Sequence, residues 1–196
     1  MAKRPKTNAE WTAETTARLV RVARREFARH GYADASVDAI AAELGLTKGA
    51  VYYHYENKQA LFEAALRDVQ ADVVKRIDGD ATGDAVQAVK RGCDAFLSIA
   101  LDDEMRRVVL TDGPGVLGWA KWRAIDAEFG LGTLIAGLQA CKDEGRLQGA
   151  DVNTVAHLIS GALNEAVFLI ADAADRGQSH QRAKRNVQWL LDAVLR

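Results

Sequence analysis

Cysteine and proline are scarce in this sequence, with two of each among 196 residues. The cysteines, Cys93 and Cys141, lie far apart, so we expect neither a disulfide framework nor a zinc site. The chain also lacks a run of roughly 18 uncharged apolar residues, which a membrane span requires, and no apolar signal core follows its basic start. These absences predict a cytoplasmic protein with no membrane partner.

The formal net charge is only −1, but the charges are distributed unevenly along the chain. Residues 1–60 contain ten Lys or Arg against seven Asp or Glu, whereas residues 61–196 contain 16 against 20. The composition, 48% hydrophobic and 27% charged, is that of a globular protein. A cationic N-terminal part on an anionic body is typical of a phosphate-binding module joined to a domain that does not contact nucleic acid.

Apolar residues recur at spacings of three and four from Thr12 to the C-terminus, and alternating strand patterns are rare. We therefore predict an all-α fold with an N-terminal domain of residues 1–60 and a C-terminal helical domain of residues 61–196. Proline lacks an amide donor, so Gly113-Pro114-Gly115 is expected to interrupt the helix there. The predicted helices are about 12–30, 36–44, 47–55, 58–77, 85–101, 103–111, 116–144, 152–174 and 178–195, with a polar break at 79–84.

The segment from Leu44 to Tyr55 has the pattern of a helix-turn-helix, in which the second short helix enters the major groove. Gly45 is expected to end one helix, and Thr47 is expected to cap the next. The small residues Gly49 and Ala50 would let the helix backbone approach the floor of the groove. The predicted inner face consists of Ile40, Leu44, Leu46, Val51 and Tyr55, and the outer face of Thr47, Lys48, Ala50, Tyr53 and His54.

Residues from about Thr16 to Leu66 resemble the DNA-binding domain of the tetracycline-repressor (TetR) family. The family hallmark is glycine, apolar, Ser/Thr, Lys, Gly, small, apolar, Tyr, Tyr, His, aromatic, two variable residues and Lys, and Gly45 to Lys58 matches it. The only departure is Tyr55, where the family usually has Phe. Upstream matches in order and spacing are Phe27, His30-Gly31-Tyr32, Ser36-Val37, Ile40-Ala41 and Leu44-Gly45. The resemblance implies a three-helix DNA-binding domain followed by a helical ligand-binding and dimerisation domain.

The resemblance also implies which side chains meet double-stranded DNA. These positions are Ser36, Thr47, Lys48, Gly49, Ala50, Tyr52, Tyr53, His54 and Lys58. We expect phosphate contacts from Ser36, Tyr52, His54 and Lys58, and base contacts from Thr47, Lys48, Ala50 and Tyr53. Core packing is the alternative for Tyr52, and a solvated surface position is the alternative for His54. The N-terminal Lys3, Arg4 and Lys6 form either an arm that reaches DNA or a tail that improves solubility.

The C-terminal part contains no recognisable catalytic motif, so we predict no enzyme, no metal and no cofactor. Large rings beside the Gly-Pro-Gly segment favour a mostly apolar cavity for a small molecule. The predicted ligand-binding residues are Phe96, Asp112, Trp119, Trp122, Arg123, Asn164, Glu165 and Phe168. Ordinary core or surface packing is the alternative for each of them. The stretch from Asp112 to Asp126 also resembles one C-terminal subgroup of the family.

The last two predicted helices are apolar over broad faces, and a helix that is apolar nearly all round has to be buried on two sides. One side can pack in its own core and the other against a twofold mate, which predicts a homodimer. The predicted dimer interface consists of Leu158, Ala162, Leu163, Val167, Trp189, Leu190 and Val194.

Together these features predict a DNA-binding repressor that binds a near-palindromic operator as a homodimer and is released by a partly apolar small molecule. Activation of transcription is an alternative. A second alternative is a redox sensor that uses Cys93 or Cys141, and a third is an enzyme or carrier in the C-terminal part.

Overall fold

The computed structural model describes residues 8–78 and 84–196, and all regular secondary structure within these ranges is helical. The predicted all-α fold is therefore confirmed for the described residues. The possible arm at Lys3, Arg4 and Lys6 lies outside them, as does most of the predicted break at 79–84. The α-helices are α1 Asn8–Asp34, α2 Val37–Glu43, α3 Lys48–His54, α4 Lys58–Asp78, α5 Ala85–Leu97, α6 Asp103–Met105, α7 Gly113–Leu117, α8 Trp119–Asp126, α9 Gly132–Asp143, α10 Val152–Ala171 and α11 Arg176–Val194.

The N-terminal head, which we define as α1 to α3 with the start of α4, is built around a small aromatic core. The rings of Phe27 and Phe62 meet edge to face with centroids 5.1 Å apart, and Tyr32 packs on both. Gly31 interrupts α1 with a φ of 74°, near the predicted helix end. Residues with a side chain rarely adopt this φ, so the position favours glycine, and a side chain there would also displace the flexible guanidinium of Arg107.

The body, which we define as α5 to α11, contains three stretches that depart from α-helical geometry. Ser98–Leu101 is a 3₁₀ turn, and Arg106–Asp112 and Ala127–Leu131 are π-helical. The predicted interruption at Gly113-Pro114-Gly115 is wrong: these residues are helical, and the break falls at Gly118, whose φ is 79°. Proline is tolerated because it occupies the first turn of α7, where its missing amide is not needed.

Helix α4 joins the head to the body. It packs against α1 on one side and against α5 and the Arg106–Asp112 stretch on the other. Arg24 of α1 adds a polar contact at this junction, with ion pairs of 2.6 Å to Asp68, 2.7 Å to Asp72 and 3.0 Å to Glu104. The predicted domain boundary near residue 60 thus falls in the first turn of a helix that both parts share.

Helix α10 is the most apolar of the long helices and the one in the described ranges that could cross a membrane by length and composition alone. The core helices of globular proteins pass the same test. Here α10 packs against α5, α9 and α11. Its buried side chains include Ala156, Val167 and Ile170, while Leu158 and Leu169 remain exposed. Its apolar character is therefore only partly explained by packing within one protomer.

Candidate nucleic-acid interface and effector cavity

Local hydrogen bonds define the turn between α2 and α3. Ser36 caps α2 by accepting a 3.2 Å hydrogen bond from the Ala39 amide, and Thr47 caps α3 in the same way, at 3.1 Å from Ala50. Each such cap stabilises a helix by about 1 kcal/mol. Between them Gly45 adopts a φ of 67°, which glycine reaches without strain. The turn therefore follows from residues whose individual preferences agree.

The predicted inner face of this unit packs into the head as expected. Ile40 and Val51 are fully buried, and Leu44, Leu46 and Tyr55 are half-buried against the same core. Burial of Val51 fixes the rotation of α3 about its axis. The opposite face of α3 consequently points into solvent.

None of the nine residues predicted to meet DNA is buried. Tyr53 is the most exposed of them, at 84%, and Tyr52 is 39% exposed, so Tyr52 does not belong to the core. His54 is half-buried: its Nδ1 lies 3.4 Å from Thr16 Oγ1, and its ring meets Tyr53 edge to face. The solvated alternative for His54 is therefore not what the structure shows.

Two lysines lie close to the exposed face of α3: Lys48 is the first residue of α3, and Lys58 is the first residue of α4. The Lys48 ammonium donates a 2.8 Å hydrogen bond to Asp38 on α2, and this bond raises the Lys48 pKa above its usual value. Exposed ion pairs of this kind contribute little to stability, so a phosphate can replace Asp38 at small cost. Lys58 donates to the Ala33 carbonyl at 3.1 Å and lies over the Tyr32 ring. Both ammonium groups can bind phosphate.

The body contains a cavity of about 130 Å³ between α5, the Ala127–Leu131 stretch, α9 and α10. Its walls are mostly apolar, with polar groups from three side chains besides Cys93. The lining residues are Ala88, Val89, Gly92, Cys93, Phe96, Asp126, Gly130, Leu131, Thr133, Leu134, Gly137, Ser160 and Leu163.

The polar end of the cavity is held by four connected side chains. The Arg123 guanidinium forms an ion pair with Asp126 Oδ2 and donates a 3.2 Å hydrogen bond to Ser160 Oγ. Asn164 Nδ2 donates to the same Asp126 oxygen at 3.0 Å. Asp126 is only 4% exposed, so its charge depends on Arg123 for compensation. The Asn164 carbonyl oxygen is buried and has no hydrogen-bond partner within the described residues.

The predicted ligand-binding residues fall into three groups. Phe96 lines the cavity, and Arg123 and Asn164 hold its polar end. Trp119, at 61% exposure, and Glu165 point into solvent instead. The remaining residues, Asp112, Trp122 and Phe168, pack outside the cavity lining.

Three polar residues line the cavity without having been predicted from the sequence: Asp126, Ser160 and Thr133. Asp126 carried the clearest signal, since a carboxylate three residues after Arg123 lies on the same face of α8 as the buried Trp122 and Ile125. The other two are ordinary small polar residues in a helix. Nothing in their neighbourhood along the chain marks them as part of a site.

A chain of close contacts runs from α8 to the head. The Trp122 indole donates a 2.7 Å hydrogen bond to the Val109 carbonyl, in the Arg106–Asp112 stretch. At the end of that stretch, Asp112 Oδ2 accepts a 2.8 Å hydrogen bond from the Tyr32 amide of α1. Asp112 is also 3.4 Å from Arg107. Asp112 therefore joins body and head rather than lining the cavity.

Helices α10 and α11 carry large apolar side chains that are exposed among the described residues. Leu158, Trp189, Leu190 and Val194 are exposed by 69%, 68%, 45% and 38%, and Ala162 is exposed as well. The other two predicted interface residues, Leu163 and Val167, are buried inside the protomer. Leu163 lines the cavity. The apolar stripe of α10 is thus divided between the core and an outer surface.

Both cysteines lie in the core. Burial raises the pKa of Cys93 to about 12, with a smaller contribution from Asp94, and burial also raises the pKa of Cys141. The thiolate is the reactive form of cysteine. These surroundings disfavour the redox-sensor alternative.

Two protein-family models match the chain. The model described as "Bacterial regulatory proteins, tetR family" matches residues 19–65, and the model described as "Tetracyclin repressor-like, C-terminal domain" matches residues 86–194. The chain belongs to the TetR family. Members of this family are transcription factors, so this TetR regulator is a DNA-binding protein and not an enzyme. The resemblance inferred from the helix-turn-helix residues is confirmed.

Solved and curated relatives agree with this assignment. A TetR-family transcriptional regulator from Pectobacterium atrosepticum is 32% identical, covers 97% of this chain and 98% of its own, and superposes with a TM-score of 0.85. The Transposon Tn10 TetC protein of Escherichia coli is 24% identical over 73% of each chain. An HTH-type transcriptional repressor of Mycobacterium tuberculosis is 29% identical over 60% of this chain and 63% of its own.

Proposed function

We propose that this TetR regulator is a cytoplasmic, homodimeric repressor that binds a near-palindromic operator and is released by a small molecule bound in the cavity. The observation that carries the proposal is the exposed, capped helix α3, which presents Lys48, Tyr53 and the small residues Gly49 and Ala50 to solvent. Relatives named as repressors support repression over activation.

The α3 face has the two kinds of group that DNA recognition requires. The phosphate contacts are assigned to four residues whose side chains are not buried: Lys58, His54, Tyr52 and Ser36. The exposed ring of Tyr53 and the side chains of Thr47 and Lys48 can reach base edges and thymine methyl groups. Affinity then comes mainly from the phosphate contacts, and sequence preference comes from α3.

Dimerisation supplies the second head. The exposed apolar face of α10 and α11 has the composition of an interface core, including a Trp, which is a residue type enriched in binding hot spots. Packing this face against its twofold copy forms a four-helix interface. The two α3 helices can then enter successive major grooves about 34 Å apart, which requires a near-palindromic site.

Release requires that the effector favour a body shape in which the heads no longer fit the two grooves. The contacts from Asp126 and Arg123 through Trp122 and Val109 to Asp112 give a physical route from the cavity to the head. A shift of α8 on ligand binding would move the Arg106–Asp112 stretch. That stretch holds the Tyr32 amide, so the orientation of the head would change with it.

The proposal is tested by selecting duplexes from a random pool with the purified protein and measuring affinity for the selected sequence by fluorescence anisotropy. Tyr53→Ala is expected to weaken that affinity about 5- to 100-fold and to relax the preference for the selected sequence, because one base-contacting ring is lost. Tyr55→Phe, which removes only a hydroxyl from a half-buried ring, is the matched control and should bind like the wild type. Recovery of no preferred sequence, or equal affinity for Tyr53→Ala, would contradict the assignment.

A further inference from the structure

The cavity of the body is small and partly open to solvent, and its volume indicates what size of group fits inside it. Its volume is about 130 Å³. For comparison, a cavity of about 150 Å³ lined by aliphatic and aromatic side chains binds benzene. The cavity therefore matches one six-membered ring with few substituents, and the ring of Phe96 and the side chains of Leu131 and Leu134 provide apolar surface for it.

The polar end presents both an acceptor and a donor. The two hydrogen bonds that Asp126 accepts within the described residues both end on Oδ2, which leaves Oδ1 for another donor. Ser160 Oγ accepts from Arg123, so its own hydroxyl hydrogen is available to a second acceptor. Asn164 lies behind Asp126 and is not part of the lining, and its Nδ2 donor helps to fix the orientation of the carboxylate. A group that both donates and accepts a hydrogen bond satisfies this end.

The charges at the polar end already balance. The Asp126 carboxylate is buried and pairs with the Arg123 guanidinium, so the end is close to neutral before anything binds. A ligand carboxylate or ammonium would be buried here without a counterion, and burying an unpaired charge is strongly unfavourable. An uncharged ligand carries no such cost.

We infer that the effector is a neutral, single-ring compound with a hydroxyl group, of the phenol class. The hydroxyl donates to Asp126 and accepts from Ser160, and the ring lies against Phe96 and the leucines. This inference rests on the proposed function and specifies the chemistry of its effector. It also assigns Ser160 and Asp126 as the residues that distinguish a hydroxyl from an apolar substituent.

The test is isothermal titration calorimetry of the full chain with four ring compounds of similar size at pH 7: phenol, toluene, benzoate and benzylamine. We expect saturable binding of phenol, at least tenfold weaker binding of toluene, which lacks the hydroxyl, and no saturable binding of the two charged compounds. Ser160→Ala should weaken phenol binding about fivefold to tenfold and leave toluene unchanged. Leu134→Trp, which fills the cavity, should abolish both, whereas Ala136→Leu on the exposed side of α9 should change neither.

Toluene binding as tight as phenol, or preferred binding of benzoate or benzylamine, would overturn the inference. The inference also fails if Ser160→Ala leaves the ratio of phenol to toluene affinity unchanged, and this ratio decides the question even if Leu134→Trp does not fold. Duplex binding by the same preparations separates the two proposals. A protein that binds its selected duplex but prefers a charged ring refutes only the effector class. A protein that binds phenol but shows no duplex preference refutes only the proposed function.

Discussion

The α3 face and the body cavity differ in how far apart their residues lie along the chain. The residues of α3 and its immediate flanks, from Thr47 to Lys58, fall within twelve positions, whereas the cavity lining extends from Ala88 to Leu163. Local signals specify the first site: two side-chain caps and one glycine turn. The second exists only because three segments that are separate along the chain, 88–96, 126–137 and 160–163, pack together. A surface made by one short helix can be identified from sequence, but a cavity between helices cannot.

The two sites also differ in electrostatics. The α3 face is exposed, and Lys48 can exchange its partner Asp38 for a phosphate, so the affinity of this face for DNA should fall as salt rises. The cavity is partly open to solvent but has mostly apolar walls, and its single carboxylate is paired internally. Binding in the cavity should respond little to salt. A change in salt concentration should therefore alter DNA affinity much more than ligand affinity.

The largest expected effect comes from disrupting the face that would pair the two heads. Trp189→Glu places a charge in the middle of the exposed apolar face of α10 and α11 and should weaken dimerisation about 100-fold or more, since Trp is a frequent hot spot. Operator affinity should fall with it, although α3 is untouched. Sedimentation analysis at micromolar concentration and anisotropy with the selected duplex measure the two effects.

Ala136→Glu, which adds the same charge to an exposed position of α9, is the control for Trp189→Glu and should leave both properties unchanged. A Trp189→Glu protein that remains a dimer would contradict the proposed interface. In that case the DNA affinity of the head would not depend on the apolar face of α10 and α11.

A smaller effect is expected at the contact that joins the two regions. Asp112→Ala removes the acceptor of the Tyr32 amide, and hydrogen bonds to charged groups contribute about 1.5 to 3 kcal/mol. Hydrogen exchange at the Tyr32 amide should therefore become about 10- to 100-fold faster. Mass spectrometry or NMR measures this exchange rate. The control is Thr111→Ala, at the exposed neighbouring position, which should leave the rate unchanged.

The smallest effect concerns acid stability at the junction of α1 and α4. A hydrogen bond from Arg24 lowers the pKa of Asp72 below its usual value near 3.8. Because the pKa is lower in the folded state, the ionised carboxylate stabilises the fold above about pH 4, and this stabilisation is lost as pH falls through the folded-state pKa. Arg24→Met should therefore reduce the melting temperature at pH 7 and flatten its decline between pH 4 and 2.

Scanning calorimetry from pH 7 to 2 measures this dependence. Arg25→Met is a suitable control, since Arg25 pairs with Glu43 at an exposed site and contributes little. An Arg24→Met protein whose melting temperature declines as steeply with acid as the wild type would show that the cluster does not contribute through ionisation.

Much of the head could be predicted because its determinants lie close together in sequence. Ser36, Thr47 and Gly45 each specify a local backbone conformation, and burial of Val51 then fixes which side of α3 faces outward. In the body, the predicted break at Pro114 was wrong because a proline in a first helical turn costs little. Trp119 was predicted to line the cavity, but a short helix after Gly118 turns its ring into solvent.

The order and type of the residues determined the helices, the helix-turn-helix and the membership of the family, since these depend on caps, turns and spacing within a few turns of chain. Only the tertiary structure decided which face of α10 is buried, that Asp112 contacts the head, and that Asp126 and Ser160 meet at one cavity. Those properties depend on the relative rotation and separation of packed helices. Periodicity along a single helix does not specify them.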